Sequence, residues 1–273
     1  MAPLRVIGTA GEAAADRNVS MSLARFAKGN LVRRVRTKVL PNLGSLLTRT
    51  NVRRCGCCDR TSIFLQFGTE AVSQICTRCG AGFRYEMLGR RLRERGSISD
   101  LVLLELDPGS ALSGYLSQAK THIRSYFRPD ATPGVTRGDG AVMQDITCLT
   151  YDDNSLDMIV SSDVLEHVPD IRRAFEETAR VLKPGGVHVF TIPNQPATKQ
   201  LAELRDGQVH HLVTPPEYHS DPLDPKGILA FWHFGPDFQD QFGYTGLEFE
   251  RFKKTDGPDR WAFVWEARKP MRA

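Results

Sequence analysis

The 273-residue chain is 41% hydrophobic and 25% charged, ordinary figures for a globular protein, and it is long enough for one large domain with an appendage. No uninterrupted apolar run approaches the roughly 20 residues that cross a bilayer, and no export-type apolar segment opens the sequence, which excludes a helical membrane span and points to a cytoplasmic location. The net charge of +4 is uneven: residues 1–54 hold eleven Lys or Arg against only Glu12 and Asp16, while the remainder holds twenty-five bases against thirty acids.

Residues 1–54 therefore form a basic arm. Within it Leu23, Phe26, Ala27, Leu31, Val35 and Val39 fall on one side of an amphipathic helix that ends before Pro41. Such a helix docks its apolar stripe on a neighbouring domain, contacts nucleic acid or an anionic surface, or serves as a targeting segment.

Five of the six cysteines crowd into residues 55–79. Cys55 and Cys58, then Cys76 and Cys79, make two Cys-x-x-Cys pairs separated by seventeen residues, the spacing of a closed tetrahedral zinc site of structural type. Cys57 is left over, as a spare thiol or a substitute ligand. A redox dithiol and unligated thiols are the competing readings. The alternating stretch Ser62 to Phe67 predicts a strand, so residues 55–96 read as a zinc ribbon followed by a basic bridging helix from Tyr85 to Arg95.

From residue 97 to 268 the pattern changes. Apolar runs at Leu101–Glu105, His122–Tyr126, Ala141–Asp145, Leu156–Val160 and Val187–Pro193 are separated by segments read as helical, the signature of a parallel sheet covered on both faces. The predicted fold is α/β and doubly wound. Helix 169–182 carries Ile171, Ala174, Phe175, Ala179 and Leu182 at helical spacing, and Lys183-Pro-Gly-Gly186 stops it. An aromatic helix is expected over 231–242, then two antiparallel edge strands at 247–252 and 261–267 joined by a turn at 255–258.

The order and wording of Glu105-Leu-Asp-Pro-Gly109, Gln144-Asp-Ile-Thr147, Asn154 to Val168 and Arg180 to Gly186 resemble the class I S-adenosylmethionine-dependent methyltransferases, in particular their small-molecule, type 11-like branch. That resemblance implies a Rossmann-like seven-stranded sheet with S-adenosylmethionine as cofactor. It places Glu105 at the methionine end, the loop of Asp107, Gly109 and Ser110 beneath the methionine and sugar, Asp145 on the adenine amino group and Ile146 against the ring. Of the family's glycine-rich first loop only Gly109 remains. Ser161 and Asp163 are delivered at the carboxyl edge of the fourth strand, and His167 lies just beyond.

If the acceptor is a hydroxyl, a base is required, and His167 and Asp163 are the nearest candidates in sequence. Gln208–His211 and Pro215–Asp221 add three further histidines whose spacing matches no metal motif. They read as a substrate-facing loop, with His219 the third candidate catalytic group. Three functions compete: methyl transfer to a small-molecule or sugar-type acceptor, methylation of RNA through the ribbon and basic arm, and a non-catalytic binding module.

Overall fold

The computed structural model describes residues 43–67, 73–107, 109–219, 226–253 and 263–271; the amphipathic helix expected over 23–39 and the turn expected at 255–258 fall outside them. A short helix α1 (Leu43–Arg49) leads into an antiparallel three-stranded sheet of β1 (Asn51–Arg54), β2 (Thr61–Gln66) and β3 (Gln74–Cys76). Along β2 the side chains of Ser62, Phe64 and Gln66 are buried and those of Thr61 and Ile63 exposed, as the alternation of its sequence requires.

Helix α2 (Phe83–Glu94) follows at once and buries Phe83, Met87, Leu88 and Leu92. Its polar face is used as well. Arg91 Nε and Arg95 Nη1 donate across 2.8 Å and 2.6 Å to the carboxylate of Glu266, which is buried in the last strand of the chain.

The main sheet is assembled from β4 (Val102–Glu105), β5 (Thr121–Tyr126), β6 (Val142–Met143), β7 (Leu156–Ser162) and β8 (Leu182–Thr191), with α3 (Ser113–Leu116) between β4 and β5 and α4 (Ile171–Val181) between β7 and β8. Short strands β9 (Lys199–Gln200), β10 (Ala202–Arg205), β11 (Gln208–His211), β12 (Tyr218–His219), β13 (Ile228–Leu229) and β14 (Trp232–His233) form three small antiparallel pairs. Then come α5 (Phe238–Phe242), β15 (Glu248–Lys253) and β16 (Phe263–Arg268).

The seven-stranded order is β15-β16-β8-β7-β4-β5-β6, with β6, β5, β4, β7 and β8 parallel and β16 antiparallel to both of its neighbours. This is the expected Rossmann-like doubly wound sheet. The chain runs outward from β4 to β6 and returns to β7 on the other side of β4, so the strand order reverses between β4 and β7, where such sheets gather their ligands.

Period-two alternation divides the core in two. Leu103, Met158, Val160, Val187, Val189 and Val264 join one cluster with α2 and with Cys55, Phe64 and Cys76 of the small sheet. Leu104, Ile159, Phe190 and Trp265 join the other, with Phe175 of α4 and Phe238 and Phe242 of α5. The cysteine-bearing segment is therefore packed on one face of the main sheet.

Three expectations are corrected. β16 is not an edge strand: it lies between β8 and β15, and Val264 to Ala267 are buried. The aromatic helix over 231–242 shrinks to α5, because Trp232 and His233 pair with Gln200 and Lys199 as a strand. Among the described crossovers only α4 is a long helix. The β5–β6 connection holds Pro129, Pro133, Gly134, Gly138 and Gly140, which break helices by lost N–H donors and backbone entropy, and it runs without regular structure.

Candidate active site and metal centre

The turn after β1 and the end of β3 bring Cys55, Cys58, Cys76 and Cys79 together, with their sulfurs all within 4.8 Å of one another. Cys55 Sγ and Cys79 Sγ are 3.8 Å apart. A tetrahedral site with Zn–S bonds of about 2.3 Å has S···S edges of roughly 3.8 Å, so the donor set fits a zinc ion.

Burial raises the thiol of Cys79, to about 12, and raises that of Cys55 as well. At Cys76 burial is outweighed by hydrogen bonds from Ser62 and from the backbone of Cys79 and Arg78, and the thiol falls to about 6. Four thiolates this close need a cation to coexist. Cys57 is not among them: it is buried, and its thiol donates to the carbonyl of Ala111 across 2.9 Å.

At the carboxyl edge of β4, Glu105 is buried and its carboxylate accepts from Ser110 Oγ, from Ser113 Oγ at 2.9 Å and from the imidazole of His122 at 2.8 Å. Both oxygens are thus committed to bracing the loop, and so is the Ser110 hydroxyl. Asp107 Oδ1 accepts from Gly109 N at 3.0 Å, and its other oxygen accepts from Tyr85 of α2. Among the described residues, a Cβ at Gly109 would meet nothing nearer than Asp107 Oδ1, at 3.7 Å, so the backbone here leaves room for close approach.

Beyond β6, Asp145 Oδ1 accepts from the N–H and hydroxyl of Thr147 at 2.8 Å and 2.7 Å, which fixes the turn, and Ile146 is buried behind it. Cys148, which follows this turn, is exposed. Ser161 departs from its expected place: its Oγ is buried 2.9 Å from His188 Nε2 and faces into the sheet, because it shares the strand face of Ile159. His188 is fully enclosed, and burial drives its pKa down to about 3.

At the end of β7, Asp163 adopts a positive φ of 53°, a conformation that aspartate tolerates better than most residues. Thr191 braces it by accepting its N–H at 3.0 Å and donating its hydroxyl to Oδ1 at 2.9 Å. The other carboxylate oxygen pairs with Arg84 of α2.

The following 3-10 turn, Leu165–His167, carries Glu166 and His167. His219 on β12 reaches them from the insertion, its ring centroid 5.0 Å from that of His167 in an edge-to-face arrangement. Glu166 Oε1 lies 3.7 Å from His167 Nε2 and 3.8 Å from His219 Nδ1. Burial raises the Glu166 carboxyl to about 8, partly offset by its own backbone N–H and then by the nearby charge of Arg84. The insertion is fastened here by Phe231 N donating to Glu166 O at 2.7 Å, and by Trp232 Nε1 donating to Pro169 O at 3.2 Å.

The structure therefore brings together two of the three candidate catalytic groups, His167 and His219, and sets Asp163 apart in an ion pair with Arg84. Sequence reasoning missed Glu166. Its neighbour His167 marked the segment, but nothing local distinguishes a glutamate that points inward from one at the surface. Among the described residues no helix is long and apolar enough to cross a membrane.

Residues 79–190 match the family model of the methyltransferase domain. An uncharacterized methyltransferase of Mycobacterium sp. (strain JLS) is 41% identical over 61 residues, 22% of this chain and 24% of that protein. A ubiquinone biosynthesis O-methyltransferase of Coxiella burnetii is 42% identical over 52 residues, 19% and 22% of the two chains. The matched stretch thus spans less than a quarter of the curated relatives' length. Among solved structures, an S-adenosylmethionine-dependent methyltransferase from Mesorhizobium loti aligns with a TM-score of 0.45 and 16% identity, covering 70% of this chain and 99% of that one.

Proposed function

We infer that this chain, which carries a methyltransferase domain over residues 79–190, transfers a methyl group from S-adenosylmethionine to a hydroxyl of a small-molecule or sugar-type acceptor. The observation that carries this reading is the layout of one sheet edge. The open loop over Gly109, with Asp145 and Ile146 beyond it, offers a shelf for the cofactor on the side of β4 to β6, while Glu166, His167 and His219 cluster on the side of β7.

Methyl transfer asks mainly for in-line placement, since a sulfonium is already a good leaving group. A hydroxyl acceptor adds one requirement, removal of its proton as the oxygen attacks. The cluster beyond β7 supplies groups for that step. The cofactor, when bound, supplies an electrophilic methyl. In this reading Asp145 accepts from the adenine amino group, Ile146 packs on the ring, and Glu105 with Ser110 keeps the loop in shape.

Calorimetric titration with S-adenosylhomocysteine tests the cofactor half: submillimolar binding is expected, and no heat at millimolar ligand would overturn it. A panel of polyhydroxylated acceptors with radiolabelled S-adenosylmethionine tests the other half. The excess of bases in residues 1–54 supports a second reading, RNA as acceptor. It requires RNA binding that weakens steeply with salt as phosphate counterions are released, and that is lost with the arm.

A further inference from the structure

We propose that Glu166, His167 and His219 bind a divalent metal ion of the manganese, iron, cobalt or zinc class, separate from the four-thiolate site, and that this ion receives the acceptor oxygen. The ion's part in catalysis rests on the methyl-transfer reading; its binding does not.

Three observations carry the site. One donor atom from each residue lies within 4.8 Å of the others. Glu166 is buried with 1% exposure, and among the described residues no other residue donates a hydrogen bond to its carboxylate, a costly arrangement for an ionisable group unless a cation compensates it. The third observation concerns the two tautomers.

His167 Nδ1 is 2.8 Å from the carbonyl of Leu229, so it carries the proton and Nε2 is left as an acceptor, turned toward Glu166. His219 Nε2 is 3.0 Å from Glu217 Oε1, so it carries the proton there and Nδ1 is the acceptor turned toward Glu166. The second nitrogens of the two imidazoles thus turn toward the buried Glu166 carboxyl, and the three donor atoms lie close enough for one cation to draw together. Glu217 is itself fixed, since its other oxygen is 2.7 Å from His233 Nε2. A metal-ligating histidine typically has its second nitrogen held in this way, by a carboxylate or a carbonyl. The positive charge of Arg84 is met by Asp163.

Two imidazoles and one carboxylate suit a borderline transition metal and leave coordination positions open. An acceptor hydroxyl bound at one of these would lose its proton to water at a lower pH. Its oxygen would then bond to the methyl carbon, the carbon–sulfur bond would break with its electron pair kept by sulfur, and the sulfonium would leave as a neutral thioether. Acceptors with two neighbouring oxygens would be favoured, because both can reach the ion.

The test uses full-length protein with its thiolate zinc in place and Mn²⁺ as the probe. Calorimetry should find one Mn²⁺ site per chain, and electron spin-echo modulation should detect two imidazole nitrogens on it. Glu166→Gln and His219→Ala should each weaken Mn²⁺ by about 100-fold or more, and Glu217→Gln by about 10- to 100-fold. All three should keep the zinc held by the four thiolates and the parent's melting temperature. No Mn²⁺, Co²⁺ or Zn²⁺ site beyond the thiolates, or affinity unchanged in Glu166→Gln and His219→Ala, overturns the proposal. An Mn²⁺ site found in a protein that does not bind S-adenosylhomocysteine would uphold the metal site and remove the methyl-transfer reading.

Discussion

The thiol of Cys57, the cysteine that the metal cluster leaves out, donates across 2.9 Å to the carbonyl of Ala111 in the connection that follows β4. It is one of three links from the cysteine-bearing segment to the proposed cofactor edge. Tyr85 donates to Asp107, and Arg84 pairs with Asp163. The cysteine-bearing segment therefore braces the loop after β4.

From this follows a pair of opposite outcomes. Cys76→Ser should lose the thiolate-bound zinc, lower the melting temperature and weaken S-adenosylhomocysteine, because the small sheet and the main sheet share a core. Cys57→Ala should keep the zinc and still weaken the cofactor a few-fold. Metal analysis beside calorimetry separates them; a Cys57→Ala protein without zinc would mean that Cys57 is a ligand after all.

Gly89 lies inside α2, where alanine would ordinarily stabilise by about 0.8–1 kcal/mol. Here a Cβ would come within 2.6 Å of the Gly56 carbonyl oxygen and 2.7 Å of the Cys57 Cα, both backbone atoms of the first knuckle. The helix and knuckle would have to separate, so Gly89→Ala should destabilise by about 1–3 kcal/mol, the range of overpacking. A melting temperature equal to or above the parent's contradicts this close crossing.

The sheet was legible because its strands are buried on both faces and announce themselves as apolar runs; β4, β5 and β7 lie within two residues of their expected limits. The clustering of the four cysteines was legible because each pair is close in sequence, as a metal knuckle requires. The Glu166 cluster was not: His219 is fifty-two residues beyond His167, and it is brought there by long-range contacts such as the pairing of β12 with β13 and the bond from His167 to Leu229. Ser161 was misplaced for a different reason. Alternation along β7 sends it to the inner face, and that phase follows from the buried neighbours rather than from the serine.

Asp145 and Glu105 should respond differently to substitution. Asp145 is partly exposed and its Oδ1 serves only the local turn, so Asp145→Ala should cost S-adenosylhomocysteine affinity about 1–3 kcal/mol, the worth of a lost acceptor, with a nearly unchanged melting temperature. Glu105 is buried and accepts from three side chains, so Glu105→Gln should lower the melting temperature even without ligand. Paired melting and binding curves decide it; a Glu105→Gln protein as stable as the parent would return this residue to a direct role at the methionine end.

His188 makes the acid side of the stability curve predictable. Its folded pKa of about 3 lies below the value of about 6.5 for an exposed imidazole, and the cause is burial alone. Between those two values the unfolded chain binds a proton that the folded chain refuses, so this residue costs stability as the pH falls and costs nothing above about pH 7. From pH 7 to pH 5 the loss should reach about 2 kcal/mol, the slope steepening toward the one-proton limit of about 1.4 kcal/mol per pH unit at the acid end. His188→Gln keeps a hydrogen-bonding partner for Ser161 Oγ but cannot ionise. Its stability relative to the parent should therefore improve on acidification, even if it is the less stable protein at neutral pH. Urea unfolding of both proteins at pH 7, 6 and 5 gives the difference directly, and parallel curves across that range would mean that the buried imidazole is reached by water and titrates normally.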